Sequence, residues 1–457
     1  MRIDAIVAEI GSTTTVINAF DGLNTSSPKF IGQGRALTTV LDGDVRIGLN
    51  NAIEDLKRNL NVSSLTYETM LASGSAAGGL RMSVHGLVRD MTVRAAEAAA
   101  LGAGAIPILT TAGKLTEYDL DDLETERPNL ILLAGGTDMG ERETAIYNLN
   151  AIASRHLKIP IVYCGNKQNR STVERICKQS SIPLELAENV YPKLDTLNVE
   201  PVRKCIHRMF EEHIIQAPGM EHIRELVDST ILPTPGSVML AAKLLAEELG
   251  ELCVLDIGGA TTDVHSVAEG SEEIARMMVA PEPIAKRTVE GDLGLYLNAK
   301  TLVERLDAEK LSKELGFSVP DVMEAYRPIP ETAEQFCLTE RLCFEAGKIA
   351  IERHAGQLRH LYTPQGRRTI AEGKDLSTIQ YLIGTGGALT RLPNRAKILR
   401  SLADMNPNRM RLFPRPGAVR ILIDTDYIMA SCGALSTVDE KAALSLMKES
   451  LTCPVLD

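Results

Sequence analysis

The chain is 457 residues long, and its 49 lysines and arginines stand against 60 aspartates and glutamates, a net charge of −11. That length gives room for two or three domains with ample cores, while the acidic balance disfavours nucleic acid or an anionic membrane as a partner. No run of about 18 uncharged apolar residues occurs, so no spanning helix is expected; Met1 to Asp4 enters a strand-like segment without a signal-peptide pattern, and the expected location is cytoplasmic.

The first 65 residues read as an α/β unit, with strands at 3–8, 14–20 and 28–33. A helix follows near 43–60, carrying Val45, Ile47, Leu49, Ile53, Leu56 and Leu60. From about 66 to 230, strand candidates at 70–72, 105–109, 130–134, 160–164 and 183–187 alternate with helices at 92–101, 141–155 and 171–178. Such alternation predicts parallel strands with crossover helices, a small doubly wound α/β unit inserted in a larger fold. The acidic stretch 117–126 reads as solvated surface. Pro233-Thr234-Pro235-Gly236 marks a boundary. A helix at 237–249 then places Val238, Ala241, Ala242, Leu245 and Leu249 on one face, and a second α/β lobe follows.

Eight cysteines are present and none forms a Cys-x-x-Cys pair, so they read as reduced, mostly buried small hydrophobes rather than as zinc ligands. His207 and His213 are six apart, as are His354 and His360. That spacing does not put two ligands on one helix face.

Two segments echo each other across the chain. Glu9-Ile10-Gly11-Ser12-Thr13-Thr14-Thr15 follows an apolar run, and so does Asp256-Ile257-Gly258-Gly259-Ala260-Thr261-Thr262-Asp263. Each reads as a strand, a carboxylate, then a small-residue turn rich in hydroxyls. Gly11, Gly258 and Gly259 let backbone approach a phosphate, and Ser12, Thr13, Thr14, Thr261 and Thr262 add donors. Glu9 and Asp256 are placed to hold waters on a hard divalent cation, Mg²⁺ bridging phosphates. Asp263, two residues past Thr261, shares its face on an extended segment and is a further candidate to approach the metal or orient a water. A third cluster, Gly384-Thr385-Gly386-Gly387-Ala388-Leu389-Thr390-Arg391, follows a strand candidate at 380–383. Its small residues would let a base and ribose lie on backbone, with Arg391 stacking or simply solvated. No Gly-x4-Gly-Lys-Ser/Thr loop and no strand-linked Gly-x-Gly-x-x-Gly occurs.

These turns resemble the motifs of the actin, sugar-kinase and heat-shock-chaperone ATPase superfamily. Residues 9–15 resemble its first phosphate motif, 256–263 its second and 383–391 its adenosine motif. The helix at 235–247 and Ala430-Ser431-Cys432-Gly433-Ala434 resemble its two connecting helices. Glu345 and Lys348 resemble a chaperone pair that contacts the adenosine. Glu9 stands where most of the superfamily has Asp. More closely, residues 8–15, 40–45, 76–82, 213–219, 257–267 and 286–294 resemble the glutamate mutase accessory protein L family over nearly the whole chain. The likeness of that name to a mismatch-repair ATPase is an accident of naming.

The resemblance implies a two-lobed actin-like α/β fold with duplicated ribonuclease-H-like lobes. The expected first lobe is 1–245 with the inserted unit at about 66–230, the second is 246–427, and a helical segment at 428–457 returns to the first. It implies ATP and Mg²⁺ as cofactors, and Asp256, Asp263 and Glu9 as catalytic candidates. The nucleotide would be held by Gly11, Ser12, Thr13, Thr14, Gly258, Gly259, Ala260, Thr261, Glu345, Lys348, Gly384, Gly386, Gly387 and Arg391. It also implies an adenosylcobalamin-dependent mutase or aminomutase as partner, with this chain as an ATP-driven accessory chaperone or reactivating factor. A small-molecule kinase using Asp263 or Asp292 as acceptor base, and a non-catalytic nucleotide-binding scaffold, remain alternatives. Leu132 to Gly140 reads either as a tight strand-to-helix connection or as an anion site. Arg81 and His85 are candidates for a partner contact, and Glu290 and Asp292 for metal or water placement or a solvated turn.

Overall fold

A hairpin, β1 (Arg2–Ile10) with β2 (Thr14–Asp21), begins the chain and is extended antiparallel by β3 (Lys29–Leu37). The computed structural model describes every residue except 12–13, 41–42, 75–79, 104, 195, 217–221, 229–230, 280, 364–365, 407–410 and 455–457. Helix α1 (Val45–Asn59) is capped by Asp44, whose side chain accepts from the Arg46 amide. β4 (Thr66–Gly74) then returns parallel to β1. β1 is buried throughout from Ala5 to Ile10, as a central strand must be, which explains its near-unbroken apolar run.

The separate sheet of the inserted unit begins at β5 (Arg81–Gly86). A π-turn at Arg89–Val93 leads into the alanine-rich α2 (Arg94–Gly102). There follow β6 (Ile106–Ala112), α3 (Glu117–Glu126), β7 (Leu130–Leu133), α4 (Glu143–Ser154), β8 (Ile161–Tyr163), α5 (Arg170–Ser180), β9 (Leu184–Leu186) and α6 (Glu200–Gln216). The five strands are all parallel, in the order β6-β5-β7-β8-β9. This is a doubly wound arrangement. The acidic stretch is α3, started by a capping box between Thr116 and Asp119.

β10 (Leu232–Pro233) rejoins the first sheet beside β4, and α7 (Thr234–Leu249) follows at once. This helix begins before the Pro-rich boundary ends, because Pro235 sits in the first turn, where a missing N–H costs nothing. The second lobe repeats the first. β11 (Leu252–Ile257) and β12 (Thr262–Val267) form a hairpin. After α8 (Glu272–Ala275), β13 (Ala285–Glu290) extends it antiparallel. Helices α9 (Ala299–Leu306), α10 (Ala308–Leu315), α11 (Val319–Glu324) and α12 (Ala333–His354) precede a β14 (Gln357–Thr363) and β15 (Gly366–Glu372) ribbon. β16 (Tyr381–Thr385) is parallel to β11 and leads into α13 (Gly386–Arg391). α14 (Arg395–Ala403), β17 (Arg420–Asp424), α15 (Met429–Leu435), α16 (Glu440–Ser450) and β18 (Leu451–Thr452) complete the chain. β18 adds to the second sheet against β17, whereas α15 packs on β1 and β4 of the first.

Numbered within each sheet, both run 3-2-1-4-5, the second carrying β18 as a sixth strand, with strands 1 to 3 antiparallel and strand 4 parallel to strand 1. The fold is therefore the two-lobed actin-like architecture with duplicated ribonuclease-H-like lobes and an inserted α/β unit. Between the lobes, α7 and α15 share one apolar core with Val7 and Leu71 of the first sheet and Val254 and Ile383 of the second. A Cβ on Gly433 would lie 1.9 Å from the Ser237 carbonyl oxygen, so only glycine permits this crossing. No helix of the described residues is long and apolar enough to cross a membrane.

Candidate functional site

The two echoing segments close in the same way. Gly11 N–H donates to the Thr14 carbonyl at 2.9 Å, and Gly258 N–H donates to the Thr261 carbonyl at 3.0 Å. Each turn thus joins strands 1 and 2 of its lobe, with its acid two residues before the glycine. Ser12 and Thr13 lie outside the described residues.

The second turn is braced from one side. Leu295 N–H donates to the Gly258 carbonyl, Tyr296 and Leu297 N–H donate to that of Gly259, and the Asn298 side chain donates to that of Ala260. In a planar trans peptide the next N–H points opposite to the carbonyl. The amides of Gly259, Ala260 and Thr261 therefore face away from the brace, as an anion concavity requires. Gly294 must be glycine for this contact, since a Cβ would stand 2.2 Å from the Ala260 oxygen.

Glu9 is 5% exposed. Its Oε1 accepts from Ser431 Oγ at 2.5 Å and from Asn18 Nδ2 at 3.3 Å. Burial pushes its carboxyl from the ordinary 4.5 up to about 7; the Ser431 bond opposes the shift and the nearby Asp424 and Asp256 carboxylates add to it. Asp256 is likewise raised to about 7, by burial first and then by Asp263 and Asp424, with Arg287 opposing. Asp256 contributes to the shift on Glu9, so the two hairpin acids, one from each lobe, lie within electrostatic reach of each other.

A third acid completes the cluster. Asp424 ends β17 and is 1% exposed. It accepts from Thr385 Oγ1 at 2.9 Å, from Ser450 Oγ, and from the Ile428 and Met429 amides at the start of α15. Thr385 pairs in register with Asp256. Tyr427, in the left-handed region at φ 57°, stands against the three acids, which raise its phenol further after burial has done most. Sequence reasoning missed Asp424, although it closes an apolar strand much as Glu9 and Asp256 do one residue before the end of theirs. Tyr427, Asn18 and Gln33 carried no local signal.

Asp263 faces Asp256 across the β11–β12 ladder. Its Oδ1 accepts from Arg287 Nη2 at 3.2 Å and its Oδ2 from Thr261 Oγ1 at 3.4 Å. Gly386 has φ +80°, and a Cβ there would meet Asp256 Oδ1 at 2.4 Å. The adenosine-like turn therefore abuts the second phosphate-like acid. Gly384 is packed against Leu389 and Leu399, whereas Gly387 has open space where a Cβ would stand. Arg391 donates to Gln33 Oε1 at 2.9 Å, and Gln33 donates to Asn18 Oδ1 at 2.8 Å. That chain runs from α13 of the second lobe to β3 and β2 of the first. Glu345 accepts from Arg341 and lies 3.9 Å from the Lys348 amine, so this pair is engaged along α12.

Other motifs are occupied by structure. Gly136 and Gly165 allow backbone contacts with Glu141 and Gly135, and Asp138 accepts from the Lys167 amide and Asn189. The run at 132–140 is thus a knit strand-to-helix connection. His85 is buried between Ser83 and Thr111, and Arg81 pairs with Glu126. Glu290 and Asp292 both accept from Arg353. A groove of about 680 Å³ between α7 and residues 281–285 shares no lining residue with the turns.

Comparison with known proteins gives one family. A family profile described as MutL protein matches residues 5–451. Protein MutL of Clostridium tetanomorphum is 37% identical over 461 residues, covering 98% of each chain. Among solved structures, a nucleotide-free acetone carboxylase is 15% identical over 95% of this chain and 70% of its own, at a TM-score of 0.43. Component A of (R)-2-hydroxyglutaryl-CoA dehydratase from Acidaminococcus fermentans is 8% identical, over 98% of this chain and 99% of its own, at 0.29.

Proposed function

The chain belongs to the MutL protein family, and on that premise we propose that it is a cytoplasmic, Mg-dependent ATPase accessory to an adenosylcobalamin-dependent mutase or aminomutase. The observation that carries the reading is the duplicated hairpin turn. Two copies of strand, acid, glycine turn and strand face one site from opposite lobes, and α15 bonds to the acid of one while Asp424 links its start to the strand beside the other.

In this reading the phosphates lie between the turn at Gly11 to Thr14 and the outward amides of Gly259, Ala260 and Thr261. The open face over Gly387 receives the base and ribose, near Gly384, Gly386 and Arg391. Glu345 and Lys348 flank the adenosine from α12. The acids fit a divalent cation held through waters: Glu9 and Asp256 are hard carboxylates whose proton affinity burial and neighbouring carboxylates raise, and a cation would relieve both. Bound Mg²⁺ would supply charge neutralisation of the phosphates. Asp256 then orients the attacking water, and the charge of Asp263 across the ladder strengthens Asp256 as a proton acceptor. Closure of the lobes on nucleotide and opening after hydrolysis, about the α7–α15 crossing, is the mechanical output that lets damaged cobalamin leave the mutase.

The kinase alternative fares less well, because both candidate acceptor bases are engaged: Asp263 by Arg287, and Asp292 by both nitrogens of the Arg353 fork. The test is ATP hydrolysis by wild type and Asp256→Ala, with and without a cobalamin-blocked mutase, followed together with recovery of mutase activity. The reading predicts stimulation by the blocked mutase and at least about a tenfold loss in the variant, roughly 1.4 kcal/mol. Turnover within about threefold of wild type in the variant contradicts the role given to Asp256. ATP binding without hydrolysis even when mutase is present would establish the scaffold instead.

A further inference from the structure

Arg287 is 1% exposed, on the edge strand β13, and its guanidinium is divided between two bodies. Nη2 donates to Asp263 of the second lobe at 3.2 Å. Nη1 donates at 3.1 Å to the Leu101 carbonyl, in the last turn of α2 in the inserted unit. That carbonyl lies in the last turn, where the helix carries partial negative charge, and it also receives the Ala103 amide at the C-cap. Arg287 therefore caps α2 and neutralises Asp263 at once, and its Nε has no acceptor among the described residues. Its cross-strand neighbour His265 is buried, both ring nitrogens lack a hydrogen-bond partner among the described residues, and burial and the Arg287 charge favour its neutral form.

The surface around this arginine is built as a joint. α2 packs against β13, while its Ala95, Ala96, Ala99 and Ala100 are buried in the core that the inserted unit shares with the first lobe. Glu282 pairs with Arg94 of α2 and with Lys286 of β13. Arg203 of α6 reaches the Ala285 carbonyl at 3.0 Å. The inserted unit thus rides on the same edge strand whose arginine holds the carboxylate opposite Asp256.

We propose that Arg287 is a positioning residue that transmits nucleotide occupancy at Asp256 and Asp263 to α2 of the inserted unit. The inference rests on the nucleotide reading above. A ligand that draws Asp263 toward the cleft takes it from Arg287. A buried guanidinium deprived of its carboxylate must shift, and the Leu101 cap shifts with it. The inserted unit then loosens on the second lobe, which gives the cleft a lever on a surface remote from it.

Hydrogen exchange of residues 94–103 tests this in the full chain, with and without Mg²⁺ and a non-hydrolysable ATP analogue, alongside calorimetric binding of the analogue to the same samples. Wild type should exchange faster in this segment when the analogue is bound, by about threefold or more. Arg287→Lys keeps a charge beside Asp263 but loses the planar fork that spans two acceptors, so it should bind the analogue without this response. Asp263→Asn should exchange fast in α2 already without ligand, and it serves where the lysine variant folds poorly. Unchanged exchange in wild type that demonstrably binds the analogue overturns the relay and leaves the nucleotide site standing. A wild-type response in Arg287→Lys also overturns the relay. Failure of wild type to bind the analogue at all overturns the nucleotide reading, and the relay falls with it.

Discussion

Replacing Glu9 by glutamine should make the protein more stable at neutral pH and change little in acid. The carboxyl of Glu9 ordinarily titrates at 4.5 and is raised to about 7 in the fold. Below 4.5 both folded and unfolded chains hold the proton, and Glu9 imposes no penalty. Between 4.5 and about 7 the unfolded chain releases the proton while the folded chain keeps it, so stability falls as pH rises. Above 7 the penalty is complete. It amounts to roughly 3 kcal/mol, since a tenfold change in proton affinity is worth about 1.4 kcal/mol. Glutamine offers the same Oε1 to Ser431 and Asn18, so the variant keeps these bonds and loses only the charge. Urea unfolding of wild type and Glu9→Gln, in chelator and without nucleotide, should give matching free energies near pH 4.5. The gap should widen in favour of the variant up to about pH 7.5 and then level. The pH dependence of Asp256 is present in both proteins and largely cancels. A gap independent of pH, or a variant less stable than wild type at neutral pH, would refute the reasoning.

Gly386→Ala puts a side chain at φ +80° and a methyl 2.4 Å from Asp256 Oδ1. A loss of about 1–3 kcal/mol in denaturant is expected, with weaker Mg-ATP binding by calorimetry. Gly433→Ala wedges α7 from α15 and should cost about 1–3 kcal/mol or more, measured by the urea midpoint. Arg391→Ala cuts the bond to Gln33 that crosses between lobes. Release of a fluorescent nucleotide in stopped flow should quicken by up to about tenfold, the worth of one such bond.

Many strand positions and the paired turns were legible because they depend on local pattern. An apolar run buried on both faces, an acid and a glycine turn are contiguous at 3–11 and again at 252–258. Four of the inserted unit's five strands were legible for the same reason, but β5 was not: Arg81 and His85, read as a partner contact, lie on it. Less accessible was the place where that unit's own sheet begins: the strand at Thr66–Gly74 alternates like those after it, and only pairing with β1 assigns it to the first sheet. The site was half visible. Asp424 follows the same strand-then-acid rule and was within reach. Arg287 was not, because a single arginine in a strand acquires meaning only when Asp263 and the Leu101 carbonyl, far apart in sequence, converge on it. Arg391 and Gln33 meet only because the two lobes face each other.

The central claim is that one triphosphate is held from both lobes. A crystal structure of the protein with Mg²⁺ and a non-hydrolysable ATP analogue tests it directly. The account predicts phosphate oxygens within hydrogen-bonding distance of the Gly259 to Thr261 amides on one side and of the turn that opens at Gly11 on the other, with the cation facing Glu9 and Asp256. An analogue bound to one hairpin alone, or lodged in the inserted unit, would contradict it.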